Sequence, residues 1–154
     1  MEVSDVVLDE GAARVRLVFA PSEPLRTSEV PGLTAAAIVA LPGLRGHRCD
    51  NGAGLSFADE LVDTELAHLF EHAALELMVM AGSSLQLRGD TSWDFARDGR
   101  GTFHVRVEYG DEAIASAALA FAAGLVGALM AGRAAPDAES QARRLRVQRG
   151  RERG

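Results

Sequence analysis

The stretch that most constrains this chain is Asp63 to Gly82, DTELAHLFEHAALELMVMAG. Leu66, Leu69, Phe70, Ala73, Leu77 and Met80 recur there at three- and four-residue steps, the spacing of one apolar helix face. Asp63 or Thr64 is placed to cap this helix, and Gly82 to stop it. Within it His68, Glu71 and His72 follow the order H-x-x-E-H, the densest group of metal-capable side chains in the sequence. Residues four apart lie one turn from each other on a helix, so both imidazoles project from one side with Glu71 beside them. Two neutral imidazoles suit zinc, and a carboxylate held off the metal is suited to take a proton from water. The same spacing also fits two histidines satisfied by nearby carbonyls or carboxylates and binding nothing.

The order H-x-x-E-H is the inverted zinc-peptidase signature, the mirror of H-E-x-x-H. The rest of the chain must supply a body for that helix. With 154 residues, 47% of them hydrophobic and 25% charged, it is long enough for one compact domain with its own core. The expected unit is 1–142, with 143–154 as a basic helix end or tail. A single cysteine, Cys49, and an acidic start after Met1 set the expectation of a cytoplasmic protein. The net charge of −6 is divided unevenly. Six arginines against Glu152 give the last twelve residues +5 and leave −11 for the body. So acidic a body argues against nucleic-acid binding and favours cationic, arginine-rich ligands.

Val3 to Leu8 and Ala13 to Phe19 alternate apolar and polar residues around Glu10-Gly11, which predicts a β-hairpin. Thr34 is placed to cap a short helix through Leu41, ended by Pro42-Gly43. Leu44 to Phe57 gives no confident element, but it carries His47 and Cys49 just before the motif helix. Ser84 to Arg88 and Thr102 to Tyr109 are expected as two strands, joined by a loop holding Asp90, Trp93, Asp94 and Asp98. Asp111 then caps a helix from Glu112 to Gly132. Its uncharged core, Ala113 to Ala131, nearly has the length of a membrane span, yet nine of those residues are alanine. No membrane span is therefore expected; the small residues suit close packing against the motif helix. Pro136 starts a last helix, amphipathic to about Val147. Strands arriving as antiparallel pairs predict an α+β fold, an antiparallel sheet with helices packed on one face.

The run from Val30 to Gly82, VPGLTAAAIVALPGLRGHRCDNGAGLSFADELVDTELAHLFEHAALELMVMAG, resembles the N-terminal domain of the cyanophycin synthetase family. The landmarks are the V-P-G-L helix, L-P-G-L followed by H-x-C, the Gly-Leu-Ser-Phe segment, and H-x-x-E-H-A-A-L-E-L. Val107 to Glu112, ahead of the alanine-rich helix, continues the similarity. The family's synthetases go on to nucleotide-dependent ligase domains that add aspartate and arginine to a polymer. This chain has no G-K-[ST] phosphate loop, so it is not expected to be a synthetase by itself. The resemblance also implies a pitrilysin-like half-domain, in which His68 and His72 are zinc ligands, Glu71 is the general base and a later glutamate completes the site. By position that glutamate is Glu139; Glu108, Cys49 and Glu76 are the alternatives, and a related inverted-motif lyase uses a cysteine. Arg143 to Arg146 stand where pitrilysins carry a further glutamate.

Two functions follow as expectations. One is a zinc-dependent hydrolase cutting an amide or isopeptide bond of a cyanophycin-like (Asp-Arg) polymer or another peptide. The other is a non-catalytic module that holds such a polymer or a protein partner through Trp93, Tyr109 and Asp94. Self-association through the small-residue helix, giving a homo-oligomer, is a third arrangement.

Overall fold

The structure is a computed structural model and describes residues 1–49, 54–84 and 86–154. The two N-terminal strands, β1 (Glu2–Asp9) and β2 (Ala12–Val18), form the expected hairpin, with positive φ at both Glu10 and Gly11 in its turn. β2 pairs antiparallel with β4 (Thr102–Glu108), and β4 with β3 (Gly89–Ser92), giving the order β1-β2-β4-β3. The register places Ala13 opposite Val107, Val15 opposite Val105 and Leu17 opposite Phe103, all buried. The alternate positions, Arg14, Arg16, His104 and Arg106, form the outer face. A two-residue side-chain period thus divides one sheet into a dry face and a wet one.

The helices cover the dry face, as the α+β expectation has it. They are α1 (Leu33–Ala40), α2 (Phe57–Glu60), α3 (Leu66–Met80), α4 (Phe95–Asp98), α5 (Glu112–Met130) and α6 (Ala138–Glu152). α3 is the motif helix, and it lies between α5 on one side and β3 and β4 on the other. Being enclosed, it buries more than one stripe: Leu66, Ala67, Leu69, Phe70, Ala73, Ala74, Leu77 and Met78 are all inaccessible to solvent. Truncating one of them, Leu69 for instance, to alanine would cost about 2–5 kcal/mol. α5 presents Ala115, Ala118 and Ala122 among the larger Ile114, Phe121, Leu125 and Leu129, so its backbone can approach α3 closely. Among the described residues it is the helix long and apolar enough to cross a membrane, and 56% of that stretch is buried inside the fold.

Several local expectations are corrected. The strand expected at Ser84 to Arg88 lies instead at Gly89–Ser92, and Leu85 is outside the described residues. Asp90 therefore belongs to a strand, while Asp94 caps the single turn α4 by accepting from Arg97 N. Thr34 does not cap α1, because its hydroxyl donates to the Leu61 carbonyl. At α3 the cap residue is Glu65, without a side-chain capping bond, since Asp63 is held by Arg26 and Ser28. Asp111 caps α5 as expected, accepting from Ile114 N at 3.1 Å. α6 begins after Asp137, whose carboxylate caps it, and continues without a break through Arg143 to Glu152. Arg146 and Arg149 on it donate to the carbonyls of Met80 and Gly82 at the end of α3.

Candidate metal centre

The first half of α3 turns His68 and His72 toward the segment that precedes α2, and Glu71 toward β3. After a 3-10 turn at Pro42–Gly46 the backbone becomes extended at His47, so His47 and Cys49 lie on the same side with Arg48 between them. An isolated bridge from Arg48 to Ser56 ties this segment to the start of α2. Cys49 Sγ thereby comes within 3.2 Å of His72 Nε2 and 3.6 Å of His68 Nε2, and the two nitrogens are 3.1 Å apart. The three donors form a triangle that could hold a metal ion. A tetrahedral ion with bonds of about 2.0–2.3 Å separates its ligand atoms by roughly 3.3–3.6 Å, so the residues fit such an ion with little movement.

The surroundings hold the rings in place. Phe57, fully buried on α2, lies flat on His72 with ring centroids 3.7 Å apart and an 11° tilt. The same phenyl meets His68 at 79° and 5.1 Å. On the side away from the cluster, His72 Nδ1 is 2.8 Å from His47 Nδ1, and His47 Nε2 is 2.6 Å from Glu76 Oε2. His68 Nδ1 is 3.0 Å from the Thr64 hydroxyl. Burial pushes His68 below its ordinary pKa, and burial together with His68 and His47 pushes His72 well below it. Burial thus favours the neutral form of both imidazoles, the state that binds metal. The Cys49 thiol is pushed up by burial and then by the neighbouring Glu60 carboxylate, so an arriving cation must displace its proton.

Glu71 is 4% exposed and stands beside this triangle, its Oε1 3.8 Å from His72 Nε2. Thr91 on β3 donates to its Oε2 at 2.5 Å. Gly89, two residues earlier on the same face of β3, is required by close approach, because a Cβ there would overlap the Glu71 carboxyl group. Burial raises the Glu71 pKa to about 7, with the Thr91 bond opposing and Asp90 and Glu60 adding to the rise. Such a carboxyl can both take up and release a proton near neutrality. Glu60 Oε2 is buried without a hydrogen-bond partner among the described residues, a second acid turned into this region.

The structure brings His68, Glu71 and His72 together, and among the described residues the third donor atom beside the two imidazoles is that of Cys49. Glu139, expected there, lies in the first turn of α6 with its side chain 63% exposed and an oxygen 3.6 Å from Arg146. Glu108 turns instead to Arg88 N and Arg106. Glu76 sits behind His47 rather than against the two ligand nitrogens. Sequence reasoning did not assign roles to His47, Glu60 or Thr91. The H-x-C spacing was a usable signal for the first, since alternate residues of an extended segment share a side.

The comparisons with known proteins agree with the fold. Residues 14–131 match the cyanophycin synthase-like N-terminal domain. The cyanophycin synthetases of Trichormus variabilis and of a Nostoc species are each 39% identical to the chain over 57 residues, which is 36% of this chain and 6% of theirs. The chain matches only a small part of the length of these relatives. With the family match running across β2 to the end of α5, the chain belongs to the cyanophycin synthase-like N-terminal domain family.

Proposed function

We propose that the Cys49, His68 and His72 triangle is a zinc site and that Glu71 beside it makes the domain a hydrolase of amide or isopeptide bonds in a cyanophycin-like, aspartate- and arginine-containing polymer. The observation that carries this reading is the arrangement itself: three protein donors 3.1–3.6 Å apart with a carboxyl group 3.8 Å from one of them. Three ligands and a nearby acid are the pattern of catalytic rather than structural zinc sites. Bound there, zinc would supply Lewis-acid polarisation of the scissile carbonyl. Glu71 takes the proton from the attacking water and passes it to the leaving amine, the role its place beside the histidines suits. The Thr91 hydroxyl holds Oε2, which leaves Oε1 on the side of the histidines for that work. The anionic body, −11 over residues 1–142, draws in arginine side chains.

A specific observation favours a second reading, a polymer-holding module whose metal is structural. Glu71 and His72 are each 4% exposed, and Phe57 covers the cluster. Zinc analysis of protein purified without added metal, paired with chromatography of a β-aspartyl-arginine polymer after incubation, separates the two. One zinc per chain and cleavage that vanishes in Glu71→Gln while zinc stays bound establishes the hydrolase. One zinc per chain with no cleavage leaves the holding module, and zinc content unaffected by His72→Ala removes the site.

A further inference from the structure

The bonds behind the two histidines fix which nitrogen of each ring faces the cluster bare. A carboxylate oxygen 2.6 Å from His47 Nε2 accepts a hydrogen from it, so Glu76 places the His47 proton on Nε2. In the neutral form of His47 this is its one N–H, and His47 Nδ1 is then an acceptor. His72 Nδ1, 2.8 Å away, must donate to it, which leaves His72 Nε2 as a lone pair aimed at Cys49 Sγ and His68 Nε2. A second chain does the same for His68. The Thr64 hydroxyl donates to Glu65 Oε2 at 3.2 Å, so its oxygen accepts the hydrogen of His68 Nδ1 and His68 Nε2 is also bare. Two lone pairs 3.1 Å apart repel unless a cation stands between them.

We propose that His47 and Glu76 are positioning residues: the chain Glu76–His47–His72 locks His72 in the Nδ1–H tautomer and so presets its Nε2 as a metal ligand. The proposal rests on the metal site above for its consequence, but the tautomer is a property of the protein alone. Its geometry is built into the fold from two elements. Glu76 lies one turn beyond His72 on α3, and His47 follows the 3-10 turn at Pro42–Gly46. Gly43 in that turn leaves room for the carboxylate, because a Cβ there would overlap Glu76 Oε1. Partners behind metal-ligating histidines orient the ring and raise its basicity, and removing them costs about 10–100-fold in metal affinity.

The test compares His47→Leu with His47→Asn, which share a shape but differ in whether the side chain can accept the His72 proton. Nitrogen-15 correlation spectra of the metal-free protein report the His72 tautomer, and competition with a chelating dye reports the zinc affinity. Wild type should show Nδ1–H at His72. His47→Leu should lose that preference and bind zinc about 10–100-fold more weakly, and His47→Asn should recover most of both. Glu76→Gln, which keeps the shape and replaces an acceptor-only group by one that also donates, should mix the tautomers and give a smaller fall in affinity. It keeps the test decisive if His47→Leu does not fold. A His72 that remains Nδ1–H in both His47→Leu and Glu76→Gln, or binds through a ring already Nε2–H in wild type, overturns the proposal. Wild-type protein with the Nδ1–H signature but no zinc binding would instead remove the metal reading and leave the tautomer lock standing.

Discussion

α3 and α5 lie side by side, α3 with no exposed residue and α5 with one face left to solvent, and they are made of opposite materials. α5 carries no charge between Ala113 and Ala131, and it fits by alternating small and large apolar residues. α3 buries Glu71 and His72 at 4% exposure each, and desolvation opposes the charged form of both. A core helix is satisfied by packing alone, as α5 demonstrates, so the polar groups of α3 are not needed to fill space. They are retained against a desolvation cost and surrounded by dedicated partners: His47 and Thr64 behind the rings, and Thr91 and Gly89 around the acid. The difference teaches that the first half of α3 gathers polar groups that could hold a metal ion, while the rest of the pair serves cohesion.

Four substitutions test that contrast. His72→Ala should abolish stoichiometric zinc, with affinity falling on the order of a thousandfold or more because one of three ligands is gone, read by metal analysis and chelator competition. Glu71→Gln should lower polymer cleavage by roughly 10²–10⁴-fold while zinc content stays at the wild-type level. Retained cleavage in that variant would deny the acid its role and weaken the contrast. Ala118→Leu on α5 should destabilise the domain by about 1–3 kcal/mol in urea unfolding through overpacking, with zinc per folded chain unchanged. Loss of zinc there would show that the two helices do not divide the work. Glu139→Gln should have the smallest effect, below about 1 kcal/mol in stability and none on zinc, because its ion pair with Arg146 is on the surface.

Much of the fold was legible because it is written in local periodicity. The hairpin alternates around Glu10-Gly11, the motif helix repeats its apolar residues at helical steps, and Asp111 and Glu112 stand before a long uncharged run. What could not be read there is set by tertiary contact. Gly89-Asp90-Thr91-Ser92 has little strand propensity and is a strand because it pairs with β4, from Gly89 opposite Val107 to Ser92 opposite His104. Thr34, Asp63 and Thr64 have cap chemistry but spend it elsewhere, on Leu61, on Arg26 and Ser28, and on His68. The two histidines and the glutamate of the cluster were visible as spacing on one helix. The third donor was not, since spacing cannot tell whether a cysteine nineteen positions before His68 or a glutamate far after it folds back. The bridge between Arg48 and Ser56 accompanies the approach of Cys49 to the histidines, a contact with no sequence signature.

The phenyl ring of Phe57, parallel to the His72 imidazole at 3.7 Å, has a spectroscopic consequence. Nuclei held above an aromatic face are shielded by its circulating electrons. The carbon-bound protons of His72 should therefore resonate upfield of those of His68, whose ring is tilted at 79° to the same phenyl and lies farther off. Two otherwise similar histidines thus carry distinct magnetic labels from a single neighbour, and each can be followed separately during a metal titration without isotopic editing.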